Sequence, residues 1–72
     1  MKKTYIVYQT KNFEKGGDFL SHLISECETK EEAMNIAKKY IKEKFCEITI
    51  FERETFANGS KRNMIIWRGI RA

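Results

Sequence analysis

The stretch Cys46–Ile70, C-E-I-T-I-F-E-R-E-T-F-A-N-G-S-K-R-N-M-I-I-W-R-G-I, decides how the chain folds. Ile48, Thr49, Ile50 and Phe51 precede Asn58-Gly59, and Ile65, Ile66 and Trp67 follow it. β-Branched and aromatic runs on either side of Asn-Gly are the signature of a β-hairpin. Asn-Gly suits a two-residue type I′ turn, whose central residues need φ > 0 and whose twist matches that of paired strands. Such a loop sets the register: Ala57 faces Ser60, Arg53 faces Met64, Phe51 faces Ile66 and Ile50 faces Trp67. Facing residues share a side of the sheet. One side then carries Cys46, Ile48, Ile50, Glu52, Ile65 and Trp67. The other carries Thr49, Phe51, Arg53, Arg62, Met64, Ile66, Arg68 and Ile70. An antiparallel sheet commonly has one dry and one wet face. Here neither side is wholly polar, which makes the second side a candidate for function.

Upstream of this hairpin, Thr4–Thr10 (T-Y-I-V-Y-Q-T) reads as a strand, dense in β-branched and aromatic residues. Lys11–Asp18 is polar, contains Gly16-Gly17 and reads as a turn or loop. Phe19–Cys27 fits two periods. With period two, Leu20, His22, Ile24 and Glu26 alternate with Phe19, Ser21, Leu23, Ser25 and Cys27. With a helical period, Phe19, Leu20, Leu23, Ile24 and Cys27 form a stripe. Strand is the preferred reading, because a Gly-Gly turn pairs it with the first strand and a helix would end almost where the next begins. That next helix opens with Thr29 at the N-cap and Glu32 at N3, a capping box. Ala33, Ile36, Ala37, Tyr40 and Ile41 recur at helical spacing as one apolar stripe. Glu31 and Glu32 in the first turn, and Lys38, Lys39, Lys42 and Lys44 towards the end, complement the helix dipole. Phe45 is expected to close the helix onto the sheet. The order is strand–strand–helix–strand–strand. It predicts an α+β domain of two layers, one helix packed on a four-stranded, mainly antiparallel sheet.

A strand pair, then Glu28-Thr29-Lys30-Glu31-Glu32-Ala33, a helix with Ile36-Ala37, and Glu47-Ile48-Thr49-Ile50 before a Gly turn resembles small bacterial ββαββ domains, many of them uncharacterised. The resemblance covers most of the chain and rests on capping and patterning. It implies the ββαββ topology and a cytoplasmic bacterial or phage origin, and it carries over no functional residue. The Lys11–Asp18 loop is longer than is usual in such domains.

At 72 residues the chain suits one domain, 1–72, with a small core. Its net charge of +4 permits an acidic protein or nucleic acid as partner, and is equally met in domains whose charge serves solubility. No apolar run approaches the ~20 residues of a membrane span. Without a signal-like segment, the expected location is cytoplasmic, with Cys27 and Cys46 reduced and buried. Two cysteines and the single His22 lack the spacing of a zinc site.

Chemistry needs a positioned nucleophile, base or metal. His22 lies near Ser21 and Ser25, but sequence proximity is not a triad, and a lone His on a strand is more often structural. Glu47, Glu52 and Glu54 are read as cross-strand partners of Arg or Lys. Gly16-Gly17 lacks the flanks of a phosphate loop. The expectation is a non-enzyme with no cofactor, no metal and no small-molecule ligand. The Ile48/Ile50/Trp67 side, having fewer charges, is expected to face the helix. The opposite side would then present Phe51, Met64 and Ile66 beside Arg53, Arg62 and Arg68. Aromatic, Met and Arg residues are enriched at protein interfaces. A partner protein or a homodimer is therefore the leading expectation. Nucleic acid stacked on the same arginines and aromatics is the alternative, and arginine stems merely covering an ordinary surface is the third reading.

Overall fold

A computed structural model describes residues 2–13 and 22–71. Four strands and one helix follow in the order β1 (Lys2–Asn12), β2 (His22–Cys27), α1 (Lys30–Glu43), β3 (Cys46–Thr55) and β4 (Lys61–Ile70). The strands form one antiparallel sheet in the spatial order β2-β1-β3-β4, with α1 across one face. This is the ββαββ two-layer arrangement. Of Phe19–Cys27, the segment from His22 on is strand. Lys11 and Asn12 prolong β1, and the proposed Gly16-Gly17 turn and Phe19–Ser21 lie outside the described residues.

The helix begins where its cap is encoded. Thr29 is extended (φ −126°, ψ 149°), and its hydroxyl accepts a hydrogen bond from the Glu32 amide at 3.2 Å. That satisfies one of the orphan amides of the first turn. At the other end the Lys44 amide donates to the Tyr40 carbonyl. Arg71, beyond β4, donates to the carbonyls of Ile41 and Lys42. A cation on the last carbonyls suits the negative end of the helix dipole. The Arg71 guanidinium lies 4.5 Å from the centroid of the Phe45 ring. Phe45 is exposed, so it does not close the helix onto the sheet as expected. Its aromatic face is taken by Arg71.

Ala33 and Ala37 are fully buried against the sheet, and their lack of bulk lets the helix approach it. Val7, Cys27, Cys46, Ile48 and Ile50 complete the core cluster, with Tyr5, Ile24, Met34, Ile36, Tyr40, Ile41, Ile66 and Trp67 packed around it. Both cysteines are buried and neither is in a disulfide. Gln9 is 6% exposed on this face, and its Oε1 accepts a hydrogen bond from the Tyr40 hydroxyl at 3.0 Å. A buried amide without such a partner would be costly.

The β3–β4 register departs from a two-residue loop. The Gly59 amide donates to the Phe56 carbonyl, and the Phe56 amide donates to the Ser60 carbonyl, both at 2.9 Å. Ala57, Asn58 and Gly59 thus form a three-residue loop. Gly59 has φ +88°, and no described non-glycine residue has positive φ. Asn58 is therefore not in the conformation that a type I′ turn demands, and its Oδ1 instead accepts from the Ser60 amide and hydroxyl. One left-handed residue, carried by glycine, is less strained than two. From this loop the pairs run Thr55–Lys61, Glu54–Arg62, Arg53–Asn63, Glu52–Met64 and Phe51–Ile65. A bulge then inserts Ile66, after which Ile50–Trp67, Thr49–Arg68 and Ile48–Gly69 match the expected register.

Candidate functional site

The register sorts the side chains onto two faces. Towards the helix point Tyr5, Val7 and Gln9 of β1 and their β3 partners Glu52, Ile50 and Ile48. On the opposite face β1 places Thr4, Ile6 and Tyr8 against Arg53, Phe51 and Thr49. β4 adds Asn63, Ile65 and Arg68, and β2 adds Glu26 and Leu23. Two cross-strand rows result: Glu26–Ile6–Phe51–Ile65 and Leu23–Tyr8–Thr49–Arg68.

The six residues expected on one exposed face are split. Phe51, Arg53 and Arg68 lie on the helix-free face. Arg62 and Met64 lie on the helix side, beyond the end of the helix-packed core, opposite Glu54 and Glu52. Ile66 packs against the core cluster. The cause is the loop and bulge: the three-residue loop shifts the pairing of the distal half by one residue, which reverses the face of Met64 and Arg62 relative to Phe51. The extra residue at the bulge then exchanges Ile65 and Ile66, so Ile65 stands opposite Phe51 in the open.

Ile6 is 2% exposed and Thr49 is 1% exposed although no helix covers them. Ile6 lies outside the core cluster. On its own face Phe51 is directly opposite, and the Tyr8 and Phe51 rings meet edge to face, centroids 5.7 Å apart. Around this central group Leu23 and Ile65 are about half exposed, at 51% and 49%. The result is an apolar strip across the sheet, deepest on the central strands β1 and β3. Tyr8, Leu23 and Ile65 were missed as members of the site. Tyr8 could have been found from its period-two relation to Ile6. Leu23 could not, because a bulge at Ile24 separates it from the alternation of Ser25 and Cys27.

Charge is distributed just as unevenly. The ion pairs of the described residues, Lys3–Glu52 at 3.8 Å and Arg62–Glu54 at 3.1 Å, are both on the helix side. On the helix-free face Lys2, Arg53, Lys61 and Arg68 have no carboxylate partner among the described residues; Arg53 donates through Nε to Asn63 at 3.0 Å. Glu47, only 7% exposed, accepts from the Thr10 hydroxyl at 2.7 Å, and Thr10 also meets Thr49 at 3.2 Å. His22, at the start of β2, is exposed opposite Gln9 and contacts no catalytic partner among the described residues. The described residues bring no three His, Cys, Asp or Glu side chains together as a metal site, and include no helix long and apolar enough to cross a membrane.

No protein-family model matches the chain, and neither the curated proteins nor the solved structures yield a match.

Proposed function

We propose that this protein is a non-enzymatic binding module whose helix-free sheet face takes a protein partner. The carrying observation is the apolar strip of Leu23, Tyr8, Ile6, Phe51 and Ile65, half open at its ends, with Glu26 at its β2 end and with Lys2, Arg53, Lys61 and Arg68 around it, none of which has a carboxylate partner among the described residues. Exposed apolar surface rimmed by such groups is the composition of an interface. The unpaired cations favour a partner that brings carboxylates. In a second copy packed face to face, arginine would meet arginine.

Selection of a displayed peptide library against the chain tests this. It should enrich peptides that combine acidic with aliphatic or aromatic residues, and the Leu23→Ser/Ile65→Thr variant should lose them. Peptides retained equally by the variant, or none above background, would reject the reading. Light scattering during size exclusion separates self-association, which the same variant would then abolish.

A second reading has its own support. Tyr8 and Phe51 are adjacent aromatic rings on the two central strands of an open four-stranded face, flanked by Arg53 and Arg68. Single-stranded RNA is bound by stacking bases on aromatics placed in this way. Anisotropy of a labelled oligonucleotide at low salt distinguishes it: binding that falls steeply with salt supports this reading, and no binding removes it.

A further inference from the structure

A different part of the molecule carries a separate site. Between the second half of α1 and the end of β4 runs an open groove of about 360 Å³, lined by Lys38, Ile41, Lys42, Trp67, Gly69 and Ile70. Its size falls in the range of small-molecule sites. Glycine shapes it. A Cβ at position 69 would stand 2.3 Å from Cη2 of Trp67 and 2.7 Å from Cδ1 of Ile41. The indole therefore lies across the strand where a side chain would otherwise be, and it supplies a flat apolar wall.

The rim is cationic. Lys38 and Lys42 are one helical turn apart and hence on one face of α1. Both are exposed, and neither has an ion pair among the described residues. Like charges at this spacing repel mildly, and an anion between them relieves the repulsion. We propose that this groove binds a small anionic amphiphile, a carboxylate on an aliphatic or aromatic body. The body would lie on Trp67 and Ile41, and the carboxylate between the two ammonium groups. Charge complementarity selects this occupant over a neutral or cationic one.

Trp67 is the only tryptophan of the chain, so its fluorescence reports the groove directly. Octanoate, kept below its micelle concentration, should shift the emission saturably, with octanol bound roughly two- to thirtyfold more weakly, as two exposed charge contacts allow. The Lys38→Gln/Lys42→Gln variant should lose about the same factor for octanoate while its thermal midpoint stays in place. The Leu23→Ser/Ile65→Thr variant, altered on the other face, should bind octanoate as the wild type does. Three results would overturn the proposal: no saturable response to octanoate, equal response to octanol or in the lysine variant, or a response confined to phosphatidylglycerol vesicles, which would make the feature a membrane contact.

Discussion

The two faces of the sheet come from the same strands and both contain large apolar residues, yet they end in different states. On the helix side Val7, Ile48 and Ile50 are completely buried. On the other side Ile6 reaches nearly the same burial with Phe51 directly opposite it, while Leu23 and Ile65 stay half open. Helix length explains part of the contrast. A helix of 14 residues spans roughly 21 Å, whereas a strand of 10 residues runs roughly 33 Å. The covered half of β3 carries Cys46, Ile48 and Ile50, and the uncovered half carries Glu52 and Glu54 with their ion pairs. Polar residues thus appear on the helix side where the helix ends. On the helix-free face the apolar residues Ile6, Tyr8, Phe51 and Ile65 occupy the middle of the sheet, and its distal end carries Lys2, Arg53 and Lys61, which have no carboxylate partner among the described residues. An apolar strip that no described helix covers is suited to receive a cover from outside.

Truncation in each face should break the symmetry most visibly. Ile50→Ala empties a fully buried position and should cost about 3 kcal/mol in urea denaturation. Ile65→Ala, half exposed, should cost less than about 1 kcal/mol. Equal costs would mean that the helix-free face is as much a core as the covered one.

Next in size is Gly69→Ala, which places a Cβ into the Trp67 ring and Ile41. Overpacking of this kind should cost roughly 2 kcal/mol and displace the Trp67 emission. A silent substitution would show that the indole does not lie across β4. Gly59→Val tests the loop that sets the faces of the distal hairpin. A β-branched residue at φ +88° should cost roughly 1–2 kcal/mol, and Gly59→Asn should cost less, since Asn tolerates that region better. A further local effect is at the cap: Thr29→Ala should lower stability by about 1 kcal/mol by leaving the Glu32 amide without its acceptor. Thermal melts followed by circular dichroism check both.

Much of the helix side was legible before any coordinates. The stripe Ala33, Ile36, Ala37, Tyr40 and Ile41 packs as its spacing requires, and Ile48, Ile50 and Trp67 face it. Of the helix-free face, Thr49, Phe51, Arg53, Arg68 and Ile70 were placed correctly. Arg62 and Met64 belong to the other face and Ile66 to the border of the core; Ile65, expected on the helix side, stands on the helix-free face, and Tyr8 and Leu23 were not assigned to it.

By itself the sequence determined the kind and order of the elements, because periodicity, the Thr29 cap and the Asn58-Gly59 turn are local and each acts within a few residues. Tertiary structure alone decided which apolar residues share a face in the bulged strands. Alternation has a period of two, so one inserted residue at Ile66, at Ile24 or in the loop reverses every side chain beyond it. The choice depends on how strands twist and pair across the whole sheet. Nothing in the run Met64-Ile65-Ile66-Trp67 marks which isoleucine will be the extra one.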